Sequence, residues 1–276
     1  MTSKERDKSL IDYLKQIPDT RKAGGRRHPL WLILLIMILG IMSGYWGYRG
    51  LGRFVERHRR QLIDTFKIPG ARVPSYSTIR RVMMDLDYQQ VTKVFNDWAA
   101  QYTHNHQGQW IAIDGKSLKN TVHDCHGKQQ NFVMMVSAFS HCRGEILGIK
   151  VMENKQQSEI VAVQDLLALL DLKGVVFTMD ALHCQKKTVS EIVQGGNDYL
   201  IVVKRNQKTL HRQIELQTVN STPIRCFEQT EKTRNRLIHR AVKVFSPPLN
   251  LDSHWREVKS VFSVCSKQRI GVELTV

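Results

Sequence analysis

Hydrophobic positions follow two different rhythms along this chain of 276 residues. Up to about residue 103 they recur at helical spacing. Residues 3–16 predict a first helix, with Ile11, Leu14 and Ile17 on one stripe and Pro18 as its stop. The most apolar run, LWLILLIMILGIM over 30–42, follows His28-Pro29 and predicts a buried helix with proline at its N-terminal end. Glycines 40, 44, 47, 50 and 52 then mark either a loose end or a close helix approach. Residues 54–66 predict another helix, with Arg53, Arg57, Arg59 and Arg60 on its exposed side. In 73–86, Ser75 or Ser77 can cap a helix carrying Ile79, Val82, Met83 and Leu86 on one face and Arg80 and Arg81 on another. That short helix after a tight turn is either a helix-turn-helix recognition element or an ordinary amphipathic helix with a solvated basic face. Residues 88–102 predict a last helix, and the polar THNHQGQ near 104 reads as a linker.

From residue 110 the rhythm shortens. Trp110 to Asp114, Asn131 to Ser140 and Ile146 to Met152 predict three strands of an antiparallel meander. Ser158 caps a helix over 159–170, a strand over 175–179 ends at Asp180, a helix over 183–194 ends at Gly195-Gly196, and Tyr199 to Val203 forms a fifth strand before a helix at 207–217. Val258 to Val264 reads as a further strand. The order β-β-β-α-β-α-β is that of the RNase H-like fold. The expected fold class is therefore α/β: a small all-α domain over 1–103, then an RNase H-like mixed-sheet domain over 104–276.

Charge sharpens this division. The chain carries a formal +16, spread as +9 over residues 1–100, −1 over 101–200 and +8 over 201–276. Basic surface flanking a near-neutral middle favours a polyanionic partner, most simply DNA. Five cysteines without framework spacing argue for free thiols in a reducing compartment. The run 30–42 is shorter than the roughly 20 residues that a bilayer requires. No secretory signal is recognisable. These features predict a cytoplasmic, nucleoid-associated protein with no membrane partner.

Two short apolar runs deliver a carboxylate: WIAI ends at Asp114 and GVVFTM at Asp180. Each aspartate can simply cap the turn after its strand. A pair at adjacent strand ends can instead share a cation, because buried carboxylates need pairing, hydrogen bonds or a metal. In the RNase H-like topology the ends of strands one and four lie side by side. Hard oxygen ligands beside basic surface suit Mg²⁺ or Mn²⁺ acting on a phosphodiester. Lys116 and Lys119 after the first aspartate, and Lys204 and Arg205 after strand five, are candidate phosphate contacts, as Arg80 and Arg81 are in the helical part. His123, Asp124, Cys125 and His126 crowd together, as do His183 and Cys184, without the spacing of a zinc site.

Several stretches carry a family resemblance. In the helical part they are Ile17-Pro-Asp-Thr-Arg21, Arg27-His-Pro-Leu30, Val73-Pro-Ser-Tyr-Ser-Thr-Ile-Arg80 and Leu86-Asp87. In the second part they are Ile113-Asp-Gly-Lys-Ser117, Thr178-Met-Asp-Ala-Leu-His-Cys-Gln185, Asp198-Tyr-Leu200 and Val203-Lys-Arg-Asn-Gln207. With these the chain resembles the transposases of the H-repeat-associated insertion-sequence family, of the DDE class. The resemblance implies metal-dependent DNA strand cleavage and transfer at terminal inverted repeats, by a homo-oligomer on DNA. It makes Asp114 and Asp180 the first two catalytic and metal-binding acids.

The third acid of that family sits on a later helix in an HWxIEN-like motif, which this sequence lacks. Glu257 follows Trp255 by two residues where the motif requires three, and Glu273 lies in no recognisable helix. A frameshift near residue 265 or a truncated gene copy would produce this pattern. The chain is then expected to be inactive or nearly so. An alternative function is a non-catalytic DNA-binding remnant that occupies transposon ends, and another is a relic that folds poorly. A free-standing nuclease would need its third acid from Glu145, Glu153 or Glu159. The first two read more simply as strand-end surface residues and Glu159 as the first-turn acid of a helix.

Overall fold

A computed structural model describes residues 8–102, 107–118, 121, 131–233 and 236–270. Its contacts divide the chain into two units: residues up to 105 together with 146–151, and residues 106–145 together with 152–276.

The first unit is helical: α1 (Leu10–Leu14), α2 (Leu30–Met42), α3 (Gly47–Arg57), α4 (Arg59–Phe66), α5 (Tyr76–Asp85) and α6 (Tyr88–Ala100). Among the described residues the first helix is shorter than expected. It starts at a capping box in which Ser9 and Asp12 satisfy each other's backbone N–H groups. The single helix expected over 54–66 is two, because the backbone leaves helical geometry at His58. Ser75, rather than Ser77, caps α5 by accepting from the Thr78 N–H.

Eight of the thirteen residues of α2 are buried, and Ile33, Ile36, Val55 and Ile79 centre the core they form. The stretch Ala23–Met42 has 20 residues and is apolar enough to cross a membrane by length and composition. Pro29 nevertheless separates its α-helical part from the turn at Ala23–Gly25, and α2 itself packs inside the helical unit. The glycines have two separate uses. Gly44 and Gly47 take positive φ of 82° and 68° between α2 and α3. Gly40 and Gly52 give close approach: a Cβ there would lie 2.7 Å from Leu51 and from Tyr76, respectively. The middle of one strand segment belongs to this unit, because the Asn96 side chain donates to the Ile149 carbonyl at 2.8 Å and accepts its N–H at 2.9 Å.

The second unit is built on a five-stranded mixed sheet. Its elements are β1 (Trp110–Ser117), β2 (Val133–Ser140), the two ends of β3 (Glu145–Glu153), whose residues 146–151 count with the helical unit, α7 (Glu159–Leu170), β4 (Val176–Met179), α8 (Lys186–Gln194), β5 (Asp198–Ile201) and α9 (Lys208–Asn220). The strand order is β3-β2-β1-β4-β5, with β1 antiparallel to β2 and parallel to β4. This is the RNase H-like arrangement that the sequence predicts. Ile111, Val136, Ala138, Phe177, Val163 and Leu166 are fully buried or nearly so between strands and α7. The helices α7 and α8 are joined by a buried bond from the Gln164 amide to the Thr188 hydroxyl, at 3.2 Å.

A second sheet follows: β6 (Arg225–Thr233), β7 (Arg236–Phe245) and β8 (Val261–Ile270), all antiparallel. Of the strand expected at 258–264, residues 261–264 open β8, and 258–260 lie in the irregular segment before it. Strands β6 and β7 are a finding of the structure. Their alternation is blunted by Glu228, Glu231, Lys232, Arg240 and Lys243 on a sheet with much of its surface in solvent.

Candidate active site

The ladder between β1 and β4 pairs Ile111 with Phe177 and Ala112 with Thr178. The ladder stops there, two residues short of Asp114 on one side and of Asp180 on the other. Alternation buries Ile111, Ile113, Phe177 and Met179 and turns the aspartates to the other face. Asp180 directly follows the last residue of β4, whereas Asp114 lies inside β1: the strand expected to end at this carboxylate runs on to Ser117, because its pairing with β2 continues past it. Asp180 does cap the turn after its strand, accepting from the Leu182 N–H at 3.0 Å through Oδ1. Its side chain is still 66% exposed, and no described residue bonds its Oδ2. Asp114 is exposed, and no described residue pairs with its carboxylate.

Next to these acids is a buried pair. The His183 Nε2 lies 3.2 Å from Glu159 Oε1 and 3.8 Å from Asp180 Oδ1, and the imidazole is almost fully buried. A carboxylate only accepts, so Nε2 carries the proton directed at Glu159. The other ring nitrogen, Nδ1, is buried without a partner among the described residues. The Glu159 side chain, 19% exposed, lies across Gly115 of β1. The helix expected over 183–194 is therefore two pieces: a 3₁₀ turn at Ala181–His183 that delivers His183 inward, then α8 from Lys186.

The turn is pinned from the segment after β5 as well. Asn206 Nδ2 donates to the Ala181 carbonyl at 2.6 Å and Gln207 Nε2 to the Cys184 carbonyl at 2.8 Å. In the sequence, Val203-Lys-Arg-Asn-Gln207 draws attention for its two cations, and the role of its amides goes unseen. Paired amides after a strand end are a usable signal, because each offers two donors to loop carbonyls. Lys204 and Arg205 are exposed beside this clamp, and Lys116 is exposed two residues beyond Asp114 on the same strand. Arg80 and Arg81 are exposed on α5 in the helical unit. Lys119 lies outside the described residues, as do His123, Asp124, Cys125, His126 and Glu273.

Cys184 is buried, and burial pushes its thiol up to about 11, which keeps it protonated and a poor metal ligand. His254, Trp255 and Glu257 lie in an irregular segment before β8 and on no helix. Among the described residues, no three His, Cys, Asp or Glu side chains gather closely enough to hold a metal ion.

Comparison with known proteins gives two family matches. The model described as Transposase DDE domain matches residues 105–276, and the one described as DDE_Tnp_1-associated matches residues 11–99. YncI of Escherichia coli O157:H7 is 35% identical over 207 residues, covering 75% of this chain and 52% of that protein. YncI of Escherichia coli K12 is 34% identical over 207 residues, 75% of this chain and 82% of that protein. The H repeat-associated YbfD of Escherichia coli K12 is 30% identical over 233 residues, 83% of this chain and 90% of that protein. This chain thus spans about half the length of the first relative and most of the other two.

Proposed function

The chain belongs to the DDE transposase family, with H repeat-associated relatives, and on that premise we propose that it acts on the DNA ends of an insertion element. The reaction is metal-dependent strand cleavage and transfer, with Asp114 and Asp180 as two of its acids. The observation that carries this reading is the exposure of two carboxylates, each two residues past the end of the parallel ladder between neighbouring strands β1 and β4, one without a partner among the described residues and one with an oxygen that no described residue bonds.

The donor set fits Mg²⁺ or Mn²⁺. Mg²⁺ keeps several waters and takes one or two carboxylates together with substrate phosphates, so two hard oxygen donors suffice to seat one ion. Soft or imidazole donors are not offered there: the Cys184 thiol is buried and His183 Nε2 is directed at Glu159. A bound divalent ion supplies Lewis acidity and a water or hydroxyl of lowered pKa. The chain's own residues bind and orient. Asp114 and Asp180 would hold the ion, Lys116, Lys204 and Arg205 would bind the flanking phosphates, and Asn206 and Gln207 keep the Asp180 turn from shifting. Residues 1–103 form the DNA-binding domain, with Arg80 and Arg81 on backbone phosphates, and 104–276 the catalytic domain. A DNA partner places the protein in the cytoplasm, on the nucleoid.

A second reading, DNA binding without cleavage, is favoured by one observation: no third metal-ligating group lies close enough among the described residues. One experiment separates the two readings. The protein is incubated with DNA carrying the element's terminal repeats, with Mg²⁺, with Mn²⁺ and with EDTA, and binding is followed over a range of salt. Metal-dependent nicking that Asp114→Ala abolishes establishes the first reading. Salt-sensitive binding without nicking selects the second. Neither outcome with intact, folded protein rejects both.

A further inference from the structure

Three residues around Asp114 and Asp180 have no role in the reading above. They are the glycine of Ile113-Asp-Gly-Lys, the histidine of Asp180-Ala-Leu-His, and Glu159 between them in sequence. Gly115 does not have a positive φ, so backbone freedom is not what requires glycine there. Space is what requires it. A Cβ at 115 would stand 2.6 Å from Glu159 Cδ, in the volume the carboxylate occupies. Glu159 opens α7, whose start is fixed by the Ser158 hydroxyl accepting from the Val161 N–H.

From this point the carboxylate reaches in two directions. Toward β1 it rests on Gly115, the residue after Asp114. Toward β4 it accepts from His183, the last residue of the turn that Asp180 caps. Because His183 is almost fully buried, its ring has little room to swing away. Glu159 therefore forms a strut between the residue that follows one acid and the turn that carries the other. Resting on the functional reading above, we propose that Glu159 is a positioning residue. Through Gly115 and His183 it sets the spacing of Asp114 and Asp180 and so the affinity of their site for a divalent cation.

The test is Mn²⁺ binding to the full chain, read from the loss of the free-ion electron paramagnetic resonance signal, with thermal melting on each variant. Residues that orient metal ligands typically contribute about 10- to 100-fold in affinity. Glu159→Ala is expected to weaken binding at least tenfold. Glu159→Gln, whose amide oxygen still accepts from His183 Nε2, should recover most of that loss. Gly115→Ala should weaken binding as Glu159→Ala does, and the double variant should be no worse than either single one, since both remove the same strut. If Gly115→Ala fails to fold, the two Glu159 variants decide alone.

Unchanged affinity in Glu159→Ala, with Asp114→Asn abolishing binding, overturns the inference and leaves the functional reading standing. Equal losses in Glu159→Gln and Glu159→Ala would mean that the carboxylate binds the ion directly, and that also overturns the positioning role. If Asp114→Asn and Asp180→Asn bind Mn²⁺ as the natural chain does, the functional reading itself fails.

Discussion

Asp19 in the helical unit and Asp180 in the sheet unit both belong to short motifs, yet they are spent differently. Asp19 accepts from Arg21 Nε at 2.8 Å, from Arg21 Nη2 at 2.7 Å and from the Arg21 backbone N–H at 3.2 Å. The same guanidinium donates to the carbonyls of Gly25 and His28, at 3.0 Å and 2.8 Å. Both oxygens of Asp19 are thus bonded inside the molecule, and the pair fixes the basic loop that leads into α2. Asp180 accepts one backbone N–H, has the buried His183 imidazole 3.8 Å from the same oxygen, and keeps its other oxygen without a bond from any described residue. A carboxylate saturated by its own chain is architecture. One left unsaturated at a strand end, beside exposed lysines, has capacity for a ligand.

The sharpest way to break this contrast is to remove charge at each place. Asp180→Asn keeps the cap, since asparagine caps as well as aspartate. Its melting temperature should stay near that of the natural chain, while Mn²⁺ affinity falls by about 100-fold or more, a loss of roughly 3 kcal/mol. Arg21→Ala should do the reverse. Breaking a part-buried charge-assisted bidentate pair should cost about 2–3 kcal/mol in denaturant unfolding, with metal affinity unmoved. A metal-dead Arg21→Ala that still melts normally would erase the distinction.

Acid titration sharpens the comparison further. Hydrogen bonds from Arg21 hold the Asp19 carboxyl below the ordinary carboxylate value of 3.8. A group whose folded pKa is depressed stabilises the fold above its unfolded pKa. That contribution disappears as pH falls from about 3.8 through the lower folded value. Unfolding followed from about pH 6 down to about pH 2 should therefore show a steep acid limb, and Asp19→Asn should flatten it. An unchanged limb in Asp19→Asn would show that the pair does not govern acid stability.

How much of this is readable in the chain follows the same division. The five-stranded sheet is legible because its strands are short β-branched runs with turn residues between them, and its order then sets β1 beside β4. The α2 core is legible from an unbroken apolar run. What escapes is whatever depends on long-range polar contact. No local pattern connects Glu159 to Gly115, or Asn206 to Ala181, because those pairings exist only after α7 and β5 have docked. The break at His58 escapes because the apolar periodicity runs across it. Strands β6 and β7 escape because charged residues interrupt their alternation. A first-turn acid such as Glu159 looks, in sequence, like an ordinary complement to the helix dipole.

A smaller effect is expected at Ser158. Its hydroxyl caps α7 at 3.4 Å from the Val161 N–H, and Ser158→Ala should cost about 1 kcal/mol in unfolding. If α7 serves only as packing, Mn²⁺ affinity should stay put. If the cap also fixes the first turn that carries Glu159, affinity should fall by a factor of about two or three as well. The paired measurement therefore tells whether the start of the helix belongs with the architecture or with the site.

The smallest expected effect, and the most local, concerns Cys184, which lies within four residues of Asp180 yet is buried. Its thiol is buried and pushed up to about 11 by desolvation, so almost none is thiolate near neutral pH. Cys142, Cys226 and Cys265 are exposed and free. Treatment of the folded protein with iodoacetamide at about pH 8 should label those three quickly and leave Cys184 unlabelled until denaturant is added, as read by mass spectrometry of the peptides. Blocking the exposed thiols should leave Mn²⁺ affinity unchanged, because none of them adjoins Asp114 or Asp180. Rapid labelling of Cys184 in the folded state would mean that the turn after β4 opens readily. The clamp from Asn206 and Gln207, and the fixed placement of Asp180 that depends on it, would then have to be given up.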